Sequence, residues 1–301
     1  MNTEPKIYNL ELATDVRKAK YHKDTEIEIV EDLPSKLDIQ KAILDHDGTI
    51  STLREGWEAV MLPVMIDSIC GDKINELSTE EYLDLSKRCS QFIDDTTGIQ
   101  TIVQMQGLVE MIENEGFINK GNIKTAPEYK SIYLDQLMVS VNDRIKKFQR
   151  GERSTNEFTM LGSVNLLNRL TQNNLTLFLA SGTDEDNVIE EAKVLGYADM
   201  FNGGIFGSKG NEIGDAKKIV IERIIKESGS DGSNLMVVGD GPVELREGRN
   251  VGALCIGIAS DEVRRYGLSE SKRTRLIKAG AHIIVPDFSQ LDQLMGILFN
   301  N

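Results

Sequence analysis

Apolar residues fall into two rhythms along the chain. Short unbroken runs stand at Ala42-Ile43-Leu44, Leu175–Ala180, Leu235–Val238, Leu254–Ile258 and His282–Val285, each ending in small or acidic residues. A run without polar alternation fits a strand buried on both faces, as in a parallel sheet. Helical patterns lie between the later runs, over 184–195, 216–226 and 243–250. Strands alternating with helices predict a doubly wound α/β domain. From about Ser51 to Leu170 the rhythm changes. Val60, Val64 and Ile69, then Ile102, Met105, Val109 and Ile112, then Leu134, Met138, Val141 and Ile145, and finally Phe158, Leu161, Val164 and Leu167 recur at helical spacing. This predicts a helical insertion between the first and second strands. We place the α/β core at 38–52 and 166–301, the insertion at 53–165, and a charge-rich extension at 1–37, where Ile27–Val30 alternates like a short edge strand.

Composition narrows the setting. The 301 residues are 40% hydrophobic and 27% charged, with a net charge of −14. Such a chain is repelled by nucleic acid and by anionic membranes unless basic residues cluster. The nearest cluster is Lys272, Arg273 and Arg275, which reads as a solvated helix face beside Glu270. Cys70, Cys89 and Cys255 are odd in number and widely spaced, unlike a disulfide frame or a zinc site. Met1–Leu12 has no apolar stretch of signal-peptide length, and no segment approaches the roughly 20 apolar residues of a membrane span. The expected setting is a reducing cytoplasm.

Three strand ends carry candidate chemistry. In Ile43-Leu44-Asp45-His46-Asp47-Gly48-Thr49, two carboxylates stand two residues apart after a buried strand, followed by a Gly turn. Ligands bind at the carboxyl ends of strands in open α/β sheets. Carboxylates this close repel one another unless a cation or a proton intervenes, and hard oxygen donors suit Mg²⁺. The plain alternative is an Asx-rich turn. In Leu177-Phe178-Leu179-Ala180-Ser181-Gly182-Thr183, a second strand ends in Ser-Gly before a helix, which fits a phosphate cradle or an ordinary helix cap. In Val237-Val238-Gly239-Asp240-Gly241-Pro242-Val243-Glu244, a third strand ends in an aspartate able to join Asp45 around a cation, or in a turn with an acidic first helical turn.

Taken together and in this chain order, the motifs resemble those of the haloacid dehalogenase superfamily. The resemblance runs from about residue 40 to 300. Asp45 and Asp47 match its first motif, Ser181 its second, and Asp240 with Glu244 its fourth. The third is a lysine. Lys217, opening a helix after Gly203-Gly204-Ile205-Phe206-Gly207-Ser208, fits best, with Lys209 as runner-up. The insertion matches the placement of the C1 cap in phosphoglycolate-phosphatase-like and β-phosphoglucomutase-like members. Two departures stand out. Glu244 occupies a position often held by Asp, so we do not count it as a metal ligand. His46 replaces a bulky apolar residue, and strand alternation turns it away from the face shared by Asp45 and Asp47.

The resemblance implies a phosphatase acting on a small phosphorylated metabolite. Asp45 is then the nucleophile and Asp47 the general acid and base. Mg²⁺ is held by the carboxylates of Asp45 and Asp240 and by the Asp47 carbonyl. Phosphate is held by Asp47, Gly48, Ser181, Gly182 and Lys217. The presence of Asp47 favours phosphate esters over halides or phosphonates. A phosphosugar mutase is the main alternative, and a non-catalytic phosphate- or magnesium-binding regulator is another. Selectivity is expected from the insertion. Arg54 is placed to meet a second anionic group on the substrate, Trp57 to stack on it, and the uncharged turn Thr96–Thr101 to face the site; Arg54 as an ion-pair partner and Trp57 as cap core are the plainer readings.

Overall fold

The computed structural model describes residues 11–12, 15–34, 36–211, 216–228 and 232–299. Most of the Met1–Leu12 stretch, and part of the extension assigned to 1–37, therefore lie outside the described residues. The sheet is built from β1 (Lys20–Tyr21), β2 (Glu28–Ile29), β3 (Lys41–Leu44), β4 (Thr176–Asp184), β5 (Gly204–Ser208), β6 (Leu235–Gly239), β7 (Leu254–Ile258) and β8 (Ile283–Val285). Its order is β1-β2-β8-β7-β6-β3-β4-β5. From β3 to β8 every pairing is parallel, the Rossmann-like arrangement. The sheet is nevertheless mixed, because β1 and β2 form an antiparallel hairpin that adds to the β8 edge.

Strand alternation sorts the core into two layers. Ala42, Leu44, Leu177, Met236, Val238 and Ile256 face one way, toward α5 (Ser163–Gln172), α6 (Glu185–Val194) and α10 (Leu291–Phe299). Ile43, Leu235, Val237, Cys255 and Ile284 face the other, toward α7 (Ala216–Ser228), α8 (Pro242–Asn250) and α9 (Glu270–Lys278). Both faces are covered, which is why these strands read as unbroken apolar runs.

The insertion between β3 and β4 carries α1 (Trp57–Cys70), α2 (Thr79–Asp95), α3 (Thr101–Glu115) and α4 (Ala126–Gln149) around an apolar cluster of its own, including Met65, Cys89, Met105, Leu108 and Val141. Local chemistry starts two of these helices. Ser78 and Glu81 cap α2, and Thr125 and Glu128 cap α4, each with the backbone N–H of the cap residue bonded to the glutamate at 2.8 Å. The two chain crossings between sheet and insertion are bonded to each other. Thr52 N–H donates to the Phe158 carbonyl and Met160 N–H to that of Ile50, both at 2.9 Å. Arg144 of α4 adds bonds to the carbonyls of Leu53 and Glu55 at 2.7 and 2.9 Å. The helix α5, which begins at Ser163, already packs on the sheet through Leu166 and Leu167. No helix among the described residues is long and apolar enough to cross a membrane.

Candidate active site

Asp45 follows β3 directly, and its N–H donates to the Val238 carbonyl of β6 at 2.9 Å. The neighbouring strand ends deliver Ser181 from β4 and Asp240 after β6, so the three motifs meet over three adjacent strands. Asp45, Asp47, Ser181, Gly182, Lys217 and Asp240 line one cavity of about 110 Å³ at the carboxyl ends of the strands. Lys217 of α7 lies 3.0 Å from Asp45 and 2.8 Å from Glu244. Lys209 is exposed.

Charge is crowded here. Burial pushes the Asp45 carboxyl up, Lys217 opposes that, and Glu244, Asp240 and Asp47 add to the push. Burial works against the charge of Lys217, but Asp45 and Glu244 outweigh it and hold the ammonium well above its ordinary range. Ligand atoms of Asp45, Asp240 and Glu244 lie within 4.8 Å of one another, all three residues buried. This oxygen-rich, carboxylate-crowded set fits a magnesium ion. Glu244 is also committed elsewhere, accepting from the Gly241 N–H at 2.7 Å and from Lys217. Gly48 has φ +75, and a Cβ there would stand 2.3 Å from Asp240 Oδ2. The close approach of motif one to Asp240 therefore requires glycine. Its N–H donates to the Ser51 carbonyl at 2.9 Å, so Gly48 supplies room rather than a free donor.

Asp47 is held by a second network. Its Oδ2 accepts from Thr183 Oγ1 at 2.9 Å and from Ser181 Oγ at 3.4 Å. Its Oδ1 lies 3.4 Å from His46 Nδ1 and 3.9 Å from Arg54 Nε. Burial alone would raise this carboxyl, but His46, Arg54 and Thr183 hold it well below the usual carboxylate range. His46 is fully buried on the α6 side of the sheet, with Nε2 2.8 Å from the Tyr197 hydroxyl. Its ring thus leaves the shared face of the two aspartates yet still borders Asp47. Arg54 is buried and grips Glu191 of α6 through Nε at 3.1 Å and Nη2 at 2.7 Å. His46, Asp47 and Glu191 also converge closely enough to hold a metal, but the Arg54 guanidinium already meets both carboxylates.

The sequence reading is corrected at two places. The helix-cap alternative for Ser181 falls away: β4 runs on to Asp184 through a register shift after Ala180, and α6 starts only at Glu185. Nor are Lys272 and Arg273 a solvated face. Lys272 Nζ lies 2.6 Å from Asp240 Oδ2 and also contacts Glu262, while Arg273 bonds Glu28 of β2 at 2.6 Å and fastens the hairpin to α9. Thr183, Glu191, Glu262 and Lys272 are site neighbours that motif reading passed over. Burial pushes the Glu262 carboxyl up to about 7 against the pull of Lys272.

The insertion closes the cavity from above. Thr97, Gly98, Ile99 and Thr101 line it, with Trp57, Gln104 and Tyr133. Trp57 also packs on the insertion's own core. A Cβ on Gly182 would lie 3.3 Å from the Ile99 carbonyl, and one on Gly98 3.6 Å from Gly241 Cα, so this loop rests on two of the strand-end turns. Gln100 donates to Ser208 Oγ of β5 at 2.9 Å, and Ser208 donates to the Gly182 carbonyl at 2.8 Å. Lys130 of α4 ties the insertion to Asp184 at 2.6 Å.

Comparison with known proteins agrees with this architecture. A family model described as haloacid dehalogenase-like hydrolase matches residues 39–252. No curated protein matches the sequence. Among solved structures, a β-phosphoglucomutase from Clostridium difficile is similar at 17% identity and a TM-score of 0.54, over 84% of this chain and 93% of that one. A predicted phosphoglycolate phosphatase from Haemophilus somnus 129PT is similar at 12% identity and 0.56, over 86% and 98%. A phosphonoacetaldehyde hydrolase-like protein from Oleispira antarctica is similar at 15% identity and 0.54, over 89% and 96%. At these identities the likeness is one of fold.

Proposed function

The chain belongs to the haloacid dehalogenase-like hydrolases, and from that premise we propose that it is a magnesium-dependent phosphatase of a small phosphorylated metabolite. The observation that carries this reading is the convergence of Asp45, Asp47, Ser181, Lys217 and Asp240 on one cavity at the sheet's carboxyl edge. Asp45 attacks phosphorus in line. The bond to the leaving oxygen breaks as an aspartyl-phosphate forms, which divides one hard step into two. Asp47 gives the leaving oxygen a proton and later takes one from the water that opens the aspartyl-phosphate. The ionised state of Asp47 in the free site suits the second task. For the first, the substrate's phosphate charge arriving beside it pushes the carboxyl up and favours protonation.

Ser181, the Gly182 N–H and the Lys217 ammonium hold the phosphoryl oxygens. Magnesium would sit with Asp45, Asp240 and the Asp47 carbonyl, where it would offset the repulsion between nucleophile and phosphate. Glu244 positions Lys217 and the Gly241 turn. The inserted helices α1 to α4 act as the cap, since the core groups touch only phosphate and the reacting oxygens and do not distinguish one ester from another.

The test is release of phosphate from a panel of phosphorylated metabolites, with and without Mg²⁺, together with acid trapping of a phosphorylated chain. Release that needs Mg²⁺ and a label that maps to Asp45 support the reading. Full activity in excess chelator, or no release from any ester, overturns it. A phosphosugar mutase is the second reading, favoured by the similarity to the Clostridium β-phosphoglucomutase. It predicts that a hexose 1-phosphate is converted to an isomer of equal mass rather than to free sugar and phosphate.

A further inference from the structure

Among the described residues, four cations line the cavity: Arg54, Lys217, Lys272 and Arg275. Three are occupied by carboxylates. Arg54 meets Glu191 at 2.7 Å, Lys217 meets Asp45 at 3.0 Å and Glu244 at 2.8 Å, and Lys272 meets Asp240 at 2.6 Å and also Glu262. Arg275 is different. Its Nε is buried without a hydrogen-bond partner, and among the described residues its guanidinium forms no ion pair. Glu58 lines the same cavity and feels the charge of Arg275, but the two form no ion pair. A buried N–H left unbonded is unfavourable, and a guanidinium presents paired donors that match the two oxygens of a carboxylate or phosphate.

Its position is informative. Arg275 follows Lys272 by three residues on α9, so the two project from one face of the helix. Lys272 reaches Asp240 beside the reacting carboxylates, while Arg275 shares the cavity with Trp57 and Glu58 of the first turn of α1. The cation is thus set next to the phosphoryl site without being engaged by any of its carboxylates. Arg54, weighed from sequence for a second anionic group, is held by Glu191 instead.

We propose that Arg275 binds a second oxyanion on the substrate, so that the favoured substrates are phosphate esters whose leaving alcohol itself carries negative charge. This inference rests on the phosphatase reading above. The experiment measures kcat/KM within two matched pairs, 3-phosphoglycerate against glycerol 3-phosphate, and fructose 1,6-bisphosphate against fructose 1-phosphate. The first pair tests a carboxylate and the second a phosphate as the oxyanion. The wild type should prefer the charged member of at least one pair by about 10- to 100-fold. Arg275→Gln should collapse that ratio toward one, and Arg275→Lys should keep part of it. A ratio within one preparation is insensitive to partial loss of folded protein. A wild-type ratio near one in both pairs overturns the inference whatever the variants do, and so does a strong ratio that survives in Arg275→Gln. If p-nitrophenyl phosphate is hydrolysed but neither pair shows a preference, the phosphatase reading stands and this inference alone fails. If no phosphate is released from any of the five compounds, both fail.

Discussion

The two walls of the cavity are built on opposite principles. The sheet wall is a lattice of charge, in which Asp45, Asp240 and Glu244 share Lys217 and Lys272, and Asp47 and Glu191 share Arg54. Beyond Arg54 and Glu58, the insertion lines the cavity with Thr97, Gly98, Ile99, Thr101, Gln104 and Tyr133, all uncharged. Buried charges need partners, so each member of the sheet wall constrains the others. An uncharged wall has no such linkage and can vary residue by residue. We read the first as the place where bonds are made and broken and the second as the place where shape is judged.

Breaking the sheet wall should therefore be far more damaging. Asp45→Asn removes the proposed nucleophile, and turnover should fall on the order of 10⁴-fold or more while the fold survives. Phosphate release by a protein with unchanged circular dichroism is the measurement, and a merely tenfold loss would count against the assignment. Asp47→Asn should cost roughly 10²- to 10⁴-fold, most for esters with poor leaving groups. A leaving-group series checks this, and equal slowing throughout would argue against acid catalysis.

Arg54→Ala leaves Glu191 buried without its cation, which should destabilise the fold by about 3–5 kcal/mol in denaturant titration. Replacing both with apolar residues, as in Arg54→Met with Glu191→Leu, should recover much of that loss. If the single change is harmless, the linkage argued for this wall is wrong.

A pH effect sharpens the same point. Glu262 binds its proton more tightly when folded, with its carboxyl raised to about 7. Between its ordinary value and about 7 the folded chain holds more protons than the unfolded one. Its contribution to stability therefore declines as pH rises through that window. Without divalent cations, Glu262→Gln should flatten the fall by about 2 kcal/mol or less, seen as unfolding midpoints at pH 5 and pH 8. The smallest effect belongs to the insertion wall. Gln100→Ala loses a bond to Ser208 and should cost about 1 kcal/mol, with a change in preference among esters larger than any change toward an aryl phosphate.

Much of the sheet domain was legible because its strands are buried on both faces and the side chains proposed for catalysis sit at their ends. Asp45, Ser181 and Asp240 are each announced by the apolar run before them. The strand β5 was not, since Gly203, Gly204 and Gly207 dilute its apolar pattern. Those glycines answer to packing instead: a Cβ on Gly203 would strike the Phe178 ring at 2.6 Å, and one on Gly207 the Glu185 backbone at 2.5 Å. Lys272 and Glu262 escaped because their meeting with Asp240 depends on how the chain returns after β7, and a basic triplet beside a glutamate looks the same on any surface helix. His46 shows both sides of the problem. Alternation assigned its face, but only the folded chain brings Tyr197 and Glu191 to it.

The N-terminal hairpin has a consequence for life at high concentration. Without it, the sheet would end at β8, whose three residues, Ile283, Ile284 and Val285, are apolar and almost wholly buried. An open strand of that composition is a template for pairing with another chain. The hairpin covers β8 and moves the boundary to β1, only two residues long and bearing Lys20. Arg273 holds the cover in place through Glu28. The segment lies far from Asp45 and Asp240 along the sheet order, so trimming it should leave the proposed chemistry largely intact while promoting self-association and loss of soluble protein.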